Sequence, residues 1–130
     1  MSPYRPGALH HVAPALLYVL AVFYLGSIST DPLAEVSFDW KDKVIHAIVF
    51  GGMQLTLARA VRFLWPELTI RRVAVVSAVA ATLCGGLLEL WQAALPHRTA
   101  ELLDFLADAL GAAVAGVWWA RRQGTLAAES

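Results

Sequence analysis

The residues of this chain that could do chemistry come in short bursts at the ends of apolar runs. Lys43 and His46 open the run KVIHAIVFGGMQLTLARAVRFLW, Glu89 and Gln92 fall near the end of VAVVSAVAATLCGGLLELWQAAL, and Asp104 and Asp108 open LLDFLADALGAAVAGVWWA. Arg98 lies in the polar elbow PHRTAE that joins the last two runs. Three kinds of chemistry fit this set. As a binding site, Lys43 and Arg98 would donate to phosphate or carboxylate, Arg98 bidentately, and Glu89, Gln92, Asp104 and Asp108 would accept from sugar or amine groups. As an enzyme, His46, Glu89, Asp104 and Asp108 would suit general acid–base work or a divalent metal in hydrolysis or transfer on a lipid-linked substrate. As a structural device, the same charges would lock a helical hairpin, since buried ion pairs alone are weak signs of function. The chain holds no HExxH or GxSxG signature, and one histidine among carboxylates more often serves an ion-pair network than a metal. No catalytic residue is assigned on this basis, and no metal or cofactor is expected.

The runs that carry these residues have the composition of membrane spans. Of 130 residues, 58% are hydrophobic and only 15% charged, against about 25% in soluble domains. Mean hydropathy is +0.60. The length predicts a single domain over residues 1–130, and the formal net charge of zero gives no reason to expect a nucleic-acid partner. Four transmembrane helices are expected, at about Val12–Ser29, Lys43–Trp65, Val73–Leu95 and Leu102–Ala120, each near the roughly 20 residues that cross a bilayer. The fold class is therefore an all-α membrane bundle. A cleaved signal peptide, with Arg5 before the apolar run and Ser27-Ile28-Ser29 at the cleavage site, is the alternative for the first run. Pro14 is expected in the first turn of that helix, where its missing N–H costs nothing. Residues 30–42 read as an acidic loop with Asp31, Glu35, Asp39 and a helix-stopping Pro32. Cys84 is the only cysteine, which excludes an internal disulfide, and its apolar setting marks it as packing.

Cationic residues set the expected orientation. Arg59, Arg62, Arg71 and Arg72 flank the connection between the second and third helices, Arg121 and Arg122 follow the fourth, and Arg5 precedes the first. Lys41, Lys43 and Arg98, at the other side, are mixed with acids. The positive-inside rule then places both termini in the cytoplasm and the chain in the inner membrane as a multi-pass protein. Trp40 and Trp91 fall at one predicted boundary, and Trp65, Trp118 and Trp119 at the other, as aromatic belts require.

This threading puts Lys43, His46, Glu89, Gln92, Arg98, Asp104 and Asp108 at one depth, on the outer side. A charge at mid-bilayer costs about 2.5–3.5 kcal/mol on insertion scales and is tolerated when it faces protein, water or a partner. Residues three and four apart share a helix face, which groups Lys43 with His46, Glu89 with Gln92, and Asp104 with Asp108 and Gly111. Three such stripes can satisfy one another only around a common centre, so a mixed-charge cleft is expected, with Lys43, Arg98 or protonated His46 compensating the carboxylates. Gly51, Gly52, Gly85, Gly86, Gly111 and Gly116 allow close helix approach. Gln54 is expected either to extend the cleft inward or to make one interhelical hydrogen bond, His97 to be solvated, and His10 and His11 to be ordinary interfacial residues and not a metal pair.

The spacing Asp42-Lys43-x-x-His46-x-x-x-Phe50, then Arg62, Glu89-x-x-Gln92-x-x-x-Pro96-x-Arg98 and Asp104-x-x-x-Asp108-x-x-Gly111 with Gly116, resembles the VanZ-like family over about residues 40–116. Members are small bacterial integral membrane proteins, and the founding member is associated with resistance to the glycopeptide teicoplanin. The resemblance implies a four-helix membrane fold and a cell-envelope role, with membrane lipids, a lipid-linked cell-wall intermediate or a glycopeptide antibiotic as partners. Asp108 stands where the family usually has asparagine, and Phe50 where tyrosine is common. The cleft is correspondingly more acidic and lacks one hydroxyl donor.

Overall fold

The computed structural model describes residues 7–28 and 40–129. The expected acidic loop with Asp31, Pro32, Glu35 and Asp39, and also Arg5 and Ser29, lie outside the described residues. Within them the chain is four α-helices, α1 Ala8–Ser27, α2 Trp40–Leu64, α3 Ile70–Ala93 and α4 Leu102–Glu129. All four are long and apolar enough to cross a membrane. Their outer faces are rich in exposed Leu, Val and Ile, including Leu16, Leu20, Ile48, Val79, Leu87 and Val114. That apolar exterior is what helices facing lipid tails need.

Side-chain pairs fix the topology. Tyr18 donates to the Val49 carbonyl at 2.8 Å and Arg59 donates to His11 at 3.2 Å, so α1 runs antiparallel to α2. Lys43 meets Asp104 and His46 meets Asp108, so α2 and α4 run parallel in register. Gly85 of α3 faces Asp108, while Gly116 faces Ala74 and Ala78, so α3 is antiparallel to both. The core, Phe50, Met53, Ala81, Leu88 and Ala112, lies between α2, α3 and α4, with Tyr18, Val22 and Phe23 of α1 packed over it. Cys84 packs against this core, as its setting implied.

The most extensive interface is α2 on α4, and its closest point is Gly111. A Cβ added there would collide with the Ala47 carbonyl and stand only 2.7 Å from the Ala47 Cα. Glycine is required because two backbones touch, the small-residue device of membrane helix packing.

Helix ends differ from expectation in instructive ways. α1 starts at Ala8, so Pro14 lies inside the helix and not in its first turn. The extra turn forms because His11 is anchored to α2, stacked on Phe63 with ring centroids 4.3 Å apart and bonded to Arg59. α3 begins at Ile70, three residues early, because the Thr69 hydroxyl caps it by accepting from the Arg72 N–H at 3.3 Å. α4 continues past Ala120 to Glu129. Arg121 and Arg122 end the apolar run but are good helix formers, and no proline stops the chain. At the same end of the bundle, Arg62 closes the turn between α2 and α3 by donating to the Pro66 and Leu68 carbonyls at 2.7 and 3.0 Å.

Replacing Gly111 by valine is expected to force α2 and α4 apart and cost at least the 1–3 kcal/mol typical of overpacking, roughly. Gly124→Ala, where a Cβ meets nothing within 4 Å, is expected to leave stability unchanged or slightly raised. Thermal unfolding of both variants in detergent checks the pair.

Candidate functional site

The elbow end of the bundle gathers the C-termini of α1 and α3 and the N-termini of α2 and α4. Most of the polar side chains there have an assignable partner. Lys43, one turn into α2, reaches across to α4 and bonds Asp104 and, at 2.6 Å, Glu101; its ammonium is also 3.5 Å from Asp42. Lys43 and Asp104 are both buried. In that setting an ammonium with three acceptors is matched to its three N–H donors.

His46, one turn further along α2, sits between two aspartates of α4. Its Nδ1 is 2.8 Å from Asp108 Oδ1 and its Nε2 is 3.6 Å from Asp104 Oδ2. The ring lies parallel to Phe50, with centroids 6.5 Å apart. Asp108 is fully buried. It fits only because α3 has glycine opposite, since a Cβ on Gly85 would be 2.8 Å from Asp108 Oδ2.

Glu89 and Gln92 of α3 perform helix-end work. Glu89 Oε2 accepts from the Glu101 backbone N–H at 2.7 Å, which satisfies a donor at the start of α4 and places an anion at its positive end. Gln92 Nε2 donates to the Gly26 carbonyl at 3.0 Å, and His97 Nε2 lies 2.8 Å from the Ser27 carbonyl. These carbonyls belong to the last turn of α1 and have no intrahelical partner. Trp91 Nε1 adds a bond to Ser27 Oγ at 2.7 Å. His97 is thus exposed but engaged, and α3 with the elbow clasps the end of α1. Sequence spacing could not show either cap, because both partners are backbone groups of other helices.

Arg98 behaves differently from the expected counter-ion. It is half-buried and makes no side-chain hydrogen bond or ion pair among the described residues. It lines a cavity of about 300 Å³ together with Asp42, His46, Gln92, Gly26 and the apolar Leu25, Ile45 and Leu88. Of the seven residues singled out from the sequence, Lys43, His46, Glu89, Asp104 and Asp108 form one connected cluster, and Gln92 and Arg98 flank it across this cavity. Gln54 lies deeper, bonded through Nε2 to Ser77 Oγ at 3.0 Å, the interhelical bond that is one of the two roles expected of it.

Two groups of side chains could hold a metal ion: Asp42, His46 and Asp104, and separately His46, Glu89 and Asp108. In the first, both carboxylates already serve Lys43. In the second, Glu89 Oε1 and Asp108 Oδ2 are buried with no hydrogen-bond partner among the described residues. A second apolar groove, about 650 Å³, opens between α3 and α4 beside Glu89 and Glu101, lined by Leu83, Leu87, Leu90 and Phe105.

No family model matches the chain, and no curated protein or solved structure matches it. The site must therefore be read from its own geometry.

Removing one member of a buried ion pair leaves the other uncompensated, at a cost of about 3–5 kcal/mol. Lys43→Met is expected to destabilise by that order. Lys43→Met combined with Asp104→Leu is expected to recover a large part of the loss, because Glu101 can turn to solvent. Chemical or thermal unfolding of the two single variants and the double variant measures the coupling.

Proposed function

We propose that the chain is a multi-pass inner-membrane protein of the VanZ-like type, with both termini cytoplasmic, whose outward-facing elbow pocket binds the polar head of an envelope amphiphile. The observation that carries this reading is Arg98 lining a cavity of about 300 Å³ with no ion-pair partner among the described residues. Lys43 is committed to Asp104 and Glu101, so Arg98 is the cation left to receive an anion. A guanidinium offers the planar fork that phosphate and carboxylate accept bidentately. Asp42 and His46, on the same wall, would receive hydroxyl or amine groups of the ligand.

Size narrows the ligand. A cavity of about 300 Å³ is at the lower end of small-molecule sites. It suits a phosphate or sugar-phosphate headgroup whose tail stays in the bilayer, whereas a glycopeptide can place only one substituent there. Support for the orientation comes from Arg59, Arg62, Arg71, Arg72, Arg121 and Arg122, all toward the opposite end of the bundle from the cavity.

One observation favours a structural role instead. The Lys43 pairs and the Glu89 cap bind the start of α4 to α2 and α3, so part of the cluster is a lock whatever the pocket does. The two readings divide at Arg98, which takes no part in that lock.

Dodecyl phosphate titrated into detergent-solubilised protein is expected to bind saturably. Arg98→Ala is expected to weaken it about 10- to 150-fold, the range for a lost charge-assisted bond of roughly 1.5–3 kcal/mol. Thermal stability should hardly change. Equal binding by wild type and variant would leave the structural role as the one standing.

A further inference from the structure

The charges buried at the elbow end do not balance. Among the described residues the buried charged side chains are Lys43, Glu89, Asp104 and Asp108, one ammonium against three carboxylates. Lys43 is consumed by Asp104 together with the more exposed Glu101 and Asp42. Glu89 and Asp108 remain, with His46 as the group beside them, among the described residues, that could carry positive charge. Two carboxylates removed from water need compensation worth several kcal/mol each, roughly.

The unmatched charge also has unmatched atoms. Glu89 spends Oε2 on the start of α4 and leaves Oε1 without a partner among the described residues. Asp108 gives Oδ1 to His46 and, among the described residues, leaves Oδ2 without one. Oδ2 faces Gly85, one helical turn from Glu89 on the same face of α3, so both orphaned oxygens address the same strip of the bundle. One ligand atom each from His46, Glu89 and Asp108 lies within 4.8 Å of the other two. Four-coordinate zinc at about 2.0–2.2 Å from its ligands holds them about 3.3–3.6 Å apart. Closing a gap of at most about 1.5 Å takes rotation of these side chains, including release of His46 Nδ1 from Asp108.

We propose that His46, Glu89 and Asp108 form a site for a divalent transition-metal ion, with zinc the best fit. The proposal goes beyond the headgroup reading and does not depend on it. Two carboxylates supply the two negative charges that a divalent ion neutralises. The imidazole selects against Mg²⁺, which prefers oxygen and keeps its waters, and three ligands are too few for Ca²⁺. Three protein ligands leave a fourth position of zinc open. If Nδ1 of His46 turns from Asp108 to the ion, Nε2–H is left beside Asp104 Oδ2, now 3.6 Å away. A carboxylate behind the ligating histidine is the arrangement that orients metal-bound imidazoles. Asp104 is itself held by Lys43, so the Lys43 lock would position the ligand histidine.

The test uses full-length, untagged protein in detergent, stripped with a chelator and dialysed, with Zn²⁺ and Mg²⁺ as the probes in calorimetry. One Zn²⁺ per chain is expected at micromolar dissociation constant or tighter, with Mg²⁺ at least tenfold weaker. Asp108→Asn and Glu89→Gln are each expected to weaken Zn²⁺ at least tenfold, and Asp42→Asn less than threefold. No saturable Zn²⁺ binding below about 1 mM by folded wild type would overturn the proposal and leave protons as the compensating charge. Loss of binding with Asp42→Asn but not with Glu89→Gln would overturn it in favour of the other group. Wild-type protein gives a reading that needs no variant: Co²⁺ in place of Zn²⁺ should show intense visible bands of four- or five-coordination. A spectrum like that of aqueous Co²⁺ would contradict the site.

Discussion

Ionised side chains inside an apolar bundle must find one another, and the parallel register of α2 on α4 is what lets them. Lys43 to Asp104, His46 to Asp108 and the backbone contact of Ala47 with Gly111 follow one another along one seam. A slip of one turn would set Lys43 against Asp108 and His46 against the apolar stretch at Gly111, and leave Asp104 buried without its ammonium. The glycine at 111 makes the approach possible and the ion pairs make it specific. Neither alone would fix both depth and register, because lipid-facing helices gain little from apolar contact with each other.

The third helix completes the arrangement from the opposite direction. Glu89 caps α4 and Gln92 caps α1, so two polar residues one turn apart join the ends of two different helices. A cap of this kind matters more in an apolar bundle than in water, since unpaired carbonyls and N–H groups there have no solvent to turn to. The elbow end is therefore held by many specific polar bonds. The opposite end relies on fewer, among them the Arg62 turn clamp and the His11–Arg59–Phe63 contact.

The sequence made the four apolar helices legible, because length and hydropathy are local properties. It was less informative about helix ends. Hydropathy places Arg121 outside an apolar span but says nothing of whether α4 stops there, and Pro14 misled because the anchor that lengthens α1 is on α2. The meeting of Lys43, His46, Glu89, Asp104 and Asp108 followed from helical periodicity and common depth. Their division of labour did not: that Lys43 is consumed by Asp104 and Glu101 while Arg98 has no ion-pair partner among the described residues depends on which rotamers reach across the bundle. The partners of Glu89 and Gln92 are main-chain groups, which carry no signature in a sequence.

The α2/α4 register can be measured without reference to any ligand. A Cβ on Gly51 lies 3.6 Å from the Ala115 Cβ, inside the roughly 3.5–4.5 Å span of a disulfide. In a Cys84→Ala background, the Gly51→Cys/Ala115→Cys pair is expected to form an intramolecular disulfide readily on mild oxidation in membranes. Failure of that pair, with efficient cross-linking of Gly51→Cys to Trp119→Cys one turn further on, would contradict the register and the meeting of charges it produces.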